Sequence, residues 1–113
     1  MDSEADKLFA ESVRESLRTA FAEHRCLTVQ QCAAALAISV RSMQRRLQRI
    51  DLTFSAIADE VRLELASQQL LYSSDTIEEI ARALGFSTQE SFIKAFCRWS
   101  DMSPGEFRRR GNP

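Results

Sequence analysis

Apolar residues recur at three- and four-residue spacings along most of this chain, the period of helices that pack by one face. Phe9, Val13, Leu17, Ala20 and Phe21 share one side of a helix predicted over 3–23, whose first half is rich in Asp and Glu, as suits the positive end of a helix. That helix has two readings: packing on the domain, or linking it to something upstream. Thr28-Val-Gln-Gln31 is a capping box. It opens a short helix with Val29, Cys32, Ala33 and Leu36 facing inward. Ala37-Ile38 then turns the chain into a helix capped by Ser39 and running to Arg49, with Met43 and Leu47 on its apolar stripe. Phe54, Ile57, Ala58, Val61, Leu65 and Leu70 predict the longest helix, from Thr53 to about Ser73.

The pattern then repeats. Thr76-Ile-Glu-Glu79 is a second capping box, and Ile77, Ile80, Ala81 and Leu84 stand 48 residues after Val29, Cys32, Ala33 and Leu36. Gly85 and Phe86 answer Ala37 and Ile38. Beyond them the offset is 49, so Thr88, Phe92, Lys94 and Phe96 answer Ser39, Met43, Arg45 and Leu47. A small-residue helix, a tight turn and a second helix with a polar outer face form the helix-turn-helix pattern, here present twice. The second outer helix is expected from about Thr88 to Ser100, and Ser103-Pro-Gly-Glu106 opens a last one with Phe107 inward. The expected architecture is all-α: an N-terminal amphipathic helix or interdomain linker (1–25), a first helix-turn-helix (26–52), a linker helix (53–74), and a second helix-turn-helix with a C-terminal helix (75–110).

Charge sharpens this picture. The 113 residues carry a net charge of −1, which misleads until the charges are placed. Residues 51–82 hold seven acids and two bases, while the positive charge gathers at 41–49 and 94–110. Such placement matters more than the total for attracting phosphate. The Ser39–Arg49 stretch has four Arg and no acid, and its outer side carries Arg41, Gln44, Arg45 and Arg49, with Ser42 in the first turn. Arg and Gln pair bidentately with guanine and adenine edges in the major groove. A solvated charged face is the plainer explanation of such a run. On the second outer helix the corresponding positions are Gln89, Glu90, Ile93 and Lys94. Glu90 either closes a capping box begun at Ser87 or accepts from a cytosine amino group. Trp99 shares a face with Phe92 and Phe96 and reads as a core anchor rather than a stacking platform. Arg108, Arg109 and Arg110 are either a solvated tail or phosphate contacts.

Other chemistries are thinly represented. His24 is the only histidine, and Cys26, Cys32 and Cys97 form no C-x-x-C pair, so neither a metal site nor a cofactor is expected. The three thiols are expected to be structural, in small apolar positions, in a reducing compartment. No glycine-rich phosphate loop, no titratable constellation for catalysis, and no apolar run long enough to span a bilayer is present, so neither an enzyme nor a membrane protein is expected. An acidic helix directly after the starting Met reads as the edge of an excised piece.

Arg41-Ser-Met-Gln-Arg-Arg-Leu47, Ile80-Ala-Arg-Ala-Leu-Gly-Phe-Ser87, Ser91-Phe-Ile-Lys-Ala-Phe96, Arg98-Trp99 and Ser103-Pro-Gly-Glu-Phe-Arg108 together resemble the DNA-binding domain of AraC/XylS-type bacterial transcription regulators. The resemblance covers about residues 27–109 and is most specific in its second half. It implies two helix-turn-helix units joined by one long helix, with recognition helices entering successive major grooves. A helix from 53 to 73 spans roughly 30 Å, against a spacing of ~34 Å between successive half-sites. By the resemblance, Arg41, Gln44 and Arg45 read bases from the first unit. Gln89, Glu90 and Lys94 do so from the second, with Ile93 against a thymine methyl, and the helix starts at Ser39 and Thr88 anchor phosphates. The implied partners are an operator duplex, an effector-binding or dimerisation domain elsewhere in the full-length protein, and RNA polymerase. The implied location is the cytoplasm, at the nucleoid. Asp51 and Asp101 depart from the family's frequent Gly and are expected in left-handed conformations, which Asp tolerates. Lys94 replaces a frequent Arg and loses the bidentate fork, so the second unit is expected to position more than to discriminate. The competing reading is a helical protein-interaction module that docks a sensor domain or RNA polymerase.

Overall fold

Left-handed residues set the corners of this chain. In the computed structural model, which describes residues 3–111, the helices are α1 (Ser3–Ala22), α2 (Val29–Ala35), α3 (Val40–Gln48), α4 (Phe54–Tyr72), α5 (Ile77–Ala83), α6 (Gln89–Ser100) and α7 (Pro104–Gly111). No strand occurs among the described residues, and none of their helices is long and apolar enough to cross a membrane. His24, Ala37, Asp51, Gly85 and Asp101 all have φ between 58° and 87°. At each of the first four, the next residue's N–H reaches back five positions, as Ile38 does to the Ala33 carbonyl and Phe86 to Ala81, both at 3.0 Å. These closures satisfy carbonyls that the ending helix leaves orphaned. The expected left-handed Asp51 and Asp101 are both present.

The chain divides into two compact units, one running to Val61 and the other beginning at Arg62, so the division falls inside α4. Each unit therefore has a helix-turn-helix between two further helices. In the first, Val13 and Leu17 of α1, Cys32 of α2, Met43 and Leu47 of α3 and Ile57 of α4 are all fully buried. Helix α1 is thus part of this core. Fully burying one such Leu or Ile contributes about 1.5–3 kcal/mol. Cys32 is fully buried in this core, and burial pushes its thiol pKa up. Cys26 corrects the expectation of three structural thiols: it is exposed in the α1–α2 loop.

The second unit packs Ala66 and Leu70 of α4, Ile80 and Leu84 of α5, and Phe92 and Phe96 of α6 around one core. Aromatic rings run through it: Phe86 lies 5.4 Å from Phe92, Phe92 5.9 Å from Phe96, and Phe96 5.3 Å edge-on from Phe107. Such tilted pairs add about 0.5–1.5 kcal/mol each beyond their buried area. Trp99, 6.2 Å from Phe86, packs against this cluster.

Two arginines close helix ends within this unit. The Arg62 Nε donates to the Leu84 carbonyl at 3.3 Å. Arg108 donates from Nε to the Leu70 carbonyl at 2.9 Å, and from Nη2 to Gln69 and Ser73 at 3.3 and 3.2 Å. The last carbonyls of α4 thereby gain a cation where the helix dipole favours one.

Candidate nucleic-acid interface

Both outer helices start alike. The Ser39 hydroxyl accepts from the Ser42 N–H at 3.0 Å, and the Thr88 hydroxyl accepts from Ser91 at 3.0 Å. Each capping hydroxyl also donates to the hydroxyl three residues on, Ser42 at 3.0 Å and Ser91 at 2.9 Å. The caps leave the N–H groups of Val40 and Arg41, and of Gln89 and Glu90, without intrahelical carbonyls, so each helix start points free donors outward. The preceding helices are held by complete capping boxes at Thr28–Gln31 and Thr76–Glu79. In the second, the Thr76 N–H and hydroxyl hold the Glu79 carboxyl below the usual carboxylate range.

Helix α3 buries Met43 and Leu47 completely and turns Arg41, Ser42, Gln44 and Arg45 to solvent. No described residue pairs with the Arg41, Gln44 or Arg45 side chains. This is the outward polar ridge expected of a reading helix. Arg49 is placed differently: its Nη1 lies 3.7 Å from the Asp6 Oδ2 on α1, although its side chain is 61% exposed. Arg46, which the periodicity did not single out, has its Nε 3.6 Å from the Asp6 Oδ1 and its guanidinium 4.2 Å above the Phe9 ring. The signal was available, since Asp6 and Phe9 are three apart and Asp6 falls in phase with the apolar face of α1.

Helix α6 buries Phe92, Ala95 and Phe96. Gln89, Glu90 and Lys94 are exposed and Ile93 is partly buried. The capping box proposed from Ser87 does not form. The chain carries one extra residue in this turn relative to the first, which moves the cap to Thr88 and pairs it with Ser91. Glu90 is consequently left with no partner among the described residues.

The three C-terminal arginines separate. Arg108 matches neither of its two readings, a solvated tail or a phosphate contact, because its guanidinium donates to the Gln69 and Leu70 carbonyls of α4 and to that of Ser73 just beyond it. Arg110 pairs with Glu106 at 3.2 Å, and Arg109 is exposed. No group of three or more His, Cys, Asp or Glu that could hold a metal occurs among the described residues.

Two turns of matching geometry, each setting a short helix against a polar outer helix, define a helix-turn-helix protein. A family model described as a helix-turn-helix domain matches residues 32–110, and the chain belongs to the AraC/XylS-type family of transcription regulators, as a DNA-binding domain of that type. It is 35% identical over 80 residues to the ornithine utilization regulator of Pseudomonas aeruginosa, a match covering 71% of this chain and 24% of that protein. The chain thus spans about a quarter of the length of that relative. A DNA-binding transcriptional dual regulator from Escherichia coli K-12 shares the fold with a TM-score of 0.84 at 22% identity, over 90% of both chains. The DNA-binding domain of AdpA, solved in complex with a target DNA, matches with a TM-score of 0.72 at 24% identity, over 89% of both chains. The competing reading as a protein-interaction module gives way to the family match.

Proposed function

We propose that this domain reads an operator through two helices that enter successive major grooves. On α3, Arg41 and Arg45 pair with guanine edges and Gln44 with adenine, while the helix start at Ser39 and Ser42 meets a phosphate. On α6, Gln89 and Glu90 contact base edges, Ile93 meets a thymine methyl, Lys94 adds a point charge, and the helix start at Thr88 holds phosphate. Arg109 and the exposed Arg110 are the C-terminal residues proposed to meet the DNA backbone.

The observation that carries this reading is the state of Arg41, Gln44 and Arg45. They are exposed and have no partner among the described residues, on a helix that buries Met43 and Leu47 completely. The rest of the protein is proposed to carry an effector-binding or dimerisation domain, to act in the cytoplasm at the nucleoid, and to engage RNA polymerase. No catalytic role is proposed.

Selection from random DNA should return a two-part motif with its parts about one helical turn apart. Arg45→Ala should then weaken specific binding by ~1–3 kcal/mol and relax one position of that motif. An unchanged affinity and motif would remove α3 as a reading helix.

A further inference from the structure

Asp6 is the one charged side chain that is buried among the described residues, at 4% exposure. A carboxylate so placed is costly unless opposite charge compensates it. The compensation comes from α3. One carboxylate oxygen lies 3.6 Å from the Arg46 Nε and the other 3.7 Å from the Arg49 Nη1. Both distances exceed those of a good hydrogen bond, so the attraction is mainly coulombic. Phe9, one turn further along α1, lies beneath the same Arg46 guanidinium at 4.2 Å. Helix α1 is itself tied elsewhere: Arg14 pairs with Glu60 of α4, and Val13 and Leu17 fill the core.

We propose that Asp6 is a positioning residue for DNA binding, holding Arg46 and Arg49 against α1 and so limiting the cations that α3 offers to the phosphate backbone. This rests on the reading of α3 as the first reading helix. The physical argument is competition. Arg49 is at the end of α3 and 61% exposed, long enough to swing to a phosphate, and a fixed carboxylate nearby lowers the gain from doing so. Phosphate contacts add affinity for any sequence, whereas base contacts add it for one. Withholding a cation therefore lowers binding to every sequence by a similar factor and weakens its salt dependence. One buried acid on its neighbour thus limits the phosphate contacts of a helix with four arginines.

The test is a salt titration of binding to operator DNA and to random duplex. Asp6→Asn keeps the shape and removes the charge. We expect affinity for operator and random duplex alike to rise severalfold, with their ratio little changed, and the log–log salt slope to steepen by about 0.9, the value of one added phosphate contact. Arg49→Gln should lower the slope by about 0.9 in the Asp6→Asn background and by markedly less in the parent. A salt slope and affinities unchanged by Asp6→Asn would overturn the proposal. So would a full-sized drop for Arg49→Gln in the parent, a measurement that does not depend on the Asp6 variant folding. Arg45→Ala in the same titration keeps the two ideas apart. If it leaves operator binding intact, the reading of α3 fails; if it damages binding while Asp6→Asn does nothing, only the role of Asp6 fails.

Discussion

Arg108 offers the sharpest contrast between the expectation from sequence and the structure, and Arg108→Ala decides between them. The guanidinium makes three bonds to carbonyls at the C-terminal end of α4, at 2.9, 3.2 and 3.3 Å. Its removal returns those carbonyls to water where they are accessible and leaves them unpaired where they are not. Hydrogen bonds to a charged group contribute about 1.5–3 kcal/mol net, and a cation at a helix C-terminus adds about 0.3–1 kcal/mol. Arg108 is only partly buried, so water recovers some of this. We expect a loss of about 1.5–3 kcal/mol. With a urea slope of roughly 1–3 kcal/mol per molar, the unfolding midpoint falls by about 1 M. Arg108→Lys keeps the charge but not the planar fork and should restore only part of the loss. The salt slope of DNA binding by the folded variant should match the parent. An unchanged midpoint combined with a slope reduced by about one would show that Arg108 serves DNA and not α4.

Other substitutions test other parts of the account. Ala37 holds φ at 59° where its counterpart in the repeat is Gly85, so Ala37→Gly should raise the melting temperature, by relief of about 1 kcal/mol of left-handed strain; a lower melting temperature would contradict the assignment of that turn. The Glu79 carboxyl is held low by Thr76, so it contributes stability above the ordinary glutamate value of about 4.3 and loses it as pH falls through its own lower value. Glu79→Gln should flatten the acid profile between those two values, and identical acid profiles for the two proteins would refute the link. Glu90 has no partner among the described residues, so Glu90→Ala should leave the unfolding free energy within about 0.5 kcal/mol of the parent while relaxing one base position on the second half-site. A stability loss above 1 kcal/mol with an unaltered motif would return Glu90 to a structural role.

How far the chain could be read depended on distance along it. The capping boxes at Thr28 and Thr76, the buried stripes of α3 and α6, and the left-handed Asp51 and Asp101 all follow from residues within one or two turns of each other. Local hydrogen bonding and helical period decide such features, and both are written in spacing. The repeat offset of 48 and then 49 already contained the extra residue in the second turn. That offset already matched Thr88 to the cap Ser39; which of its two readings Glu90 takes needed the backbone path.

Partners remote in sequence were decided only by the tertiary structure. Arg108 and Leu70 are 38 residues apart, and Asp6 and Arg49 stand further apart still. In spacing alone, Arg41, Arg45 and Arg49 are equivalent members of the outer side of one basic helix. Packing of α1 against α3 divides them, because a charge close to a buried carboxylate is held while one on the open face stays free for another partner. Helical period can say which way a side chain points; what stands there to meet it is settled by the folded chain.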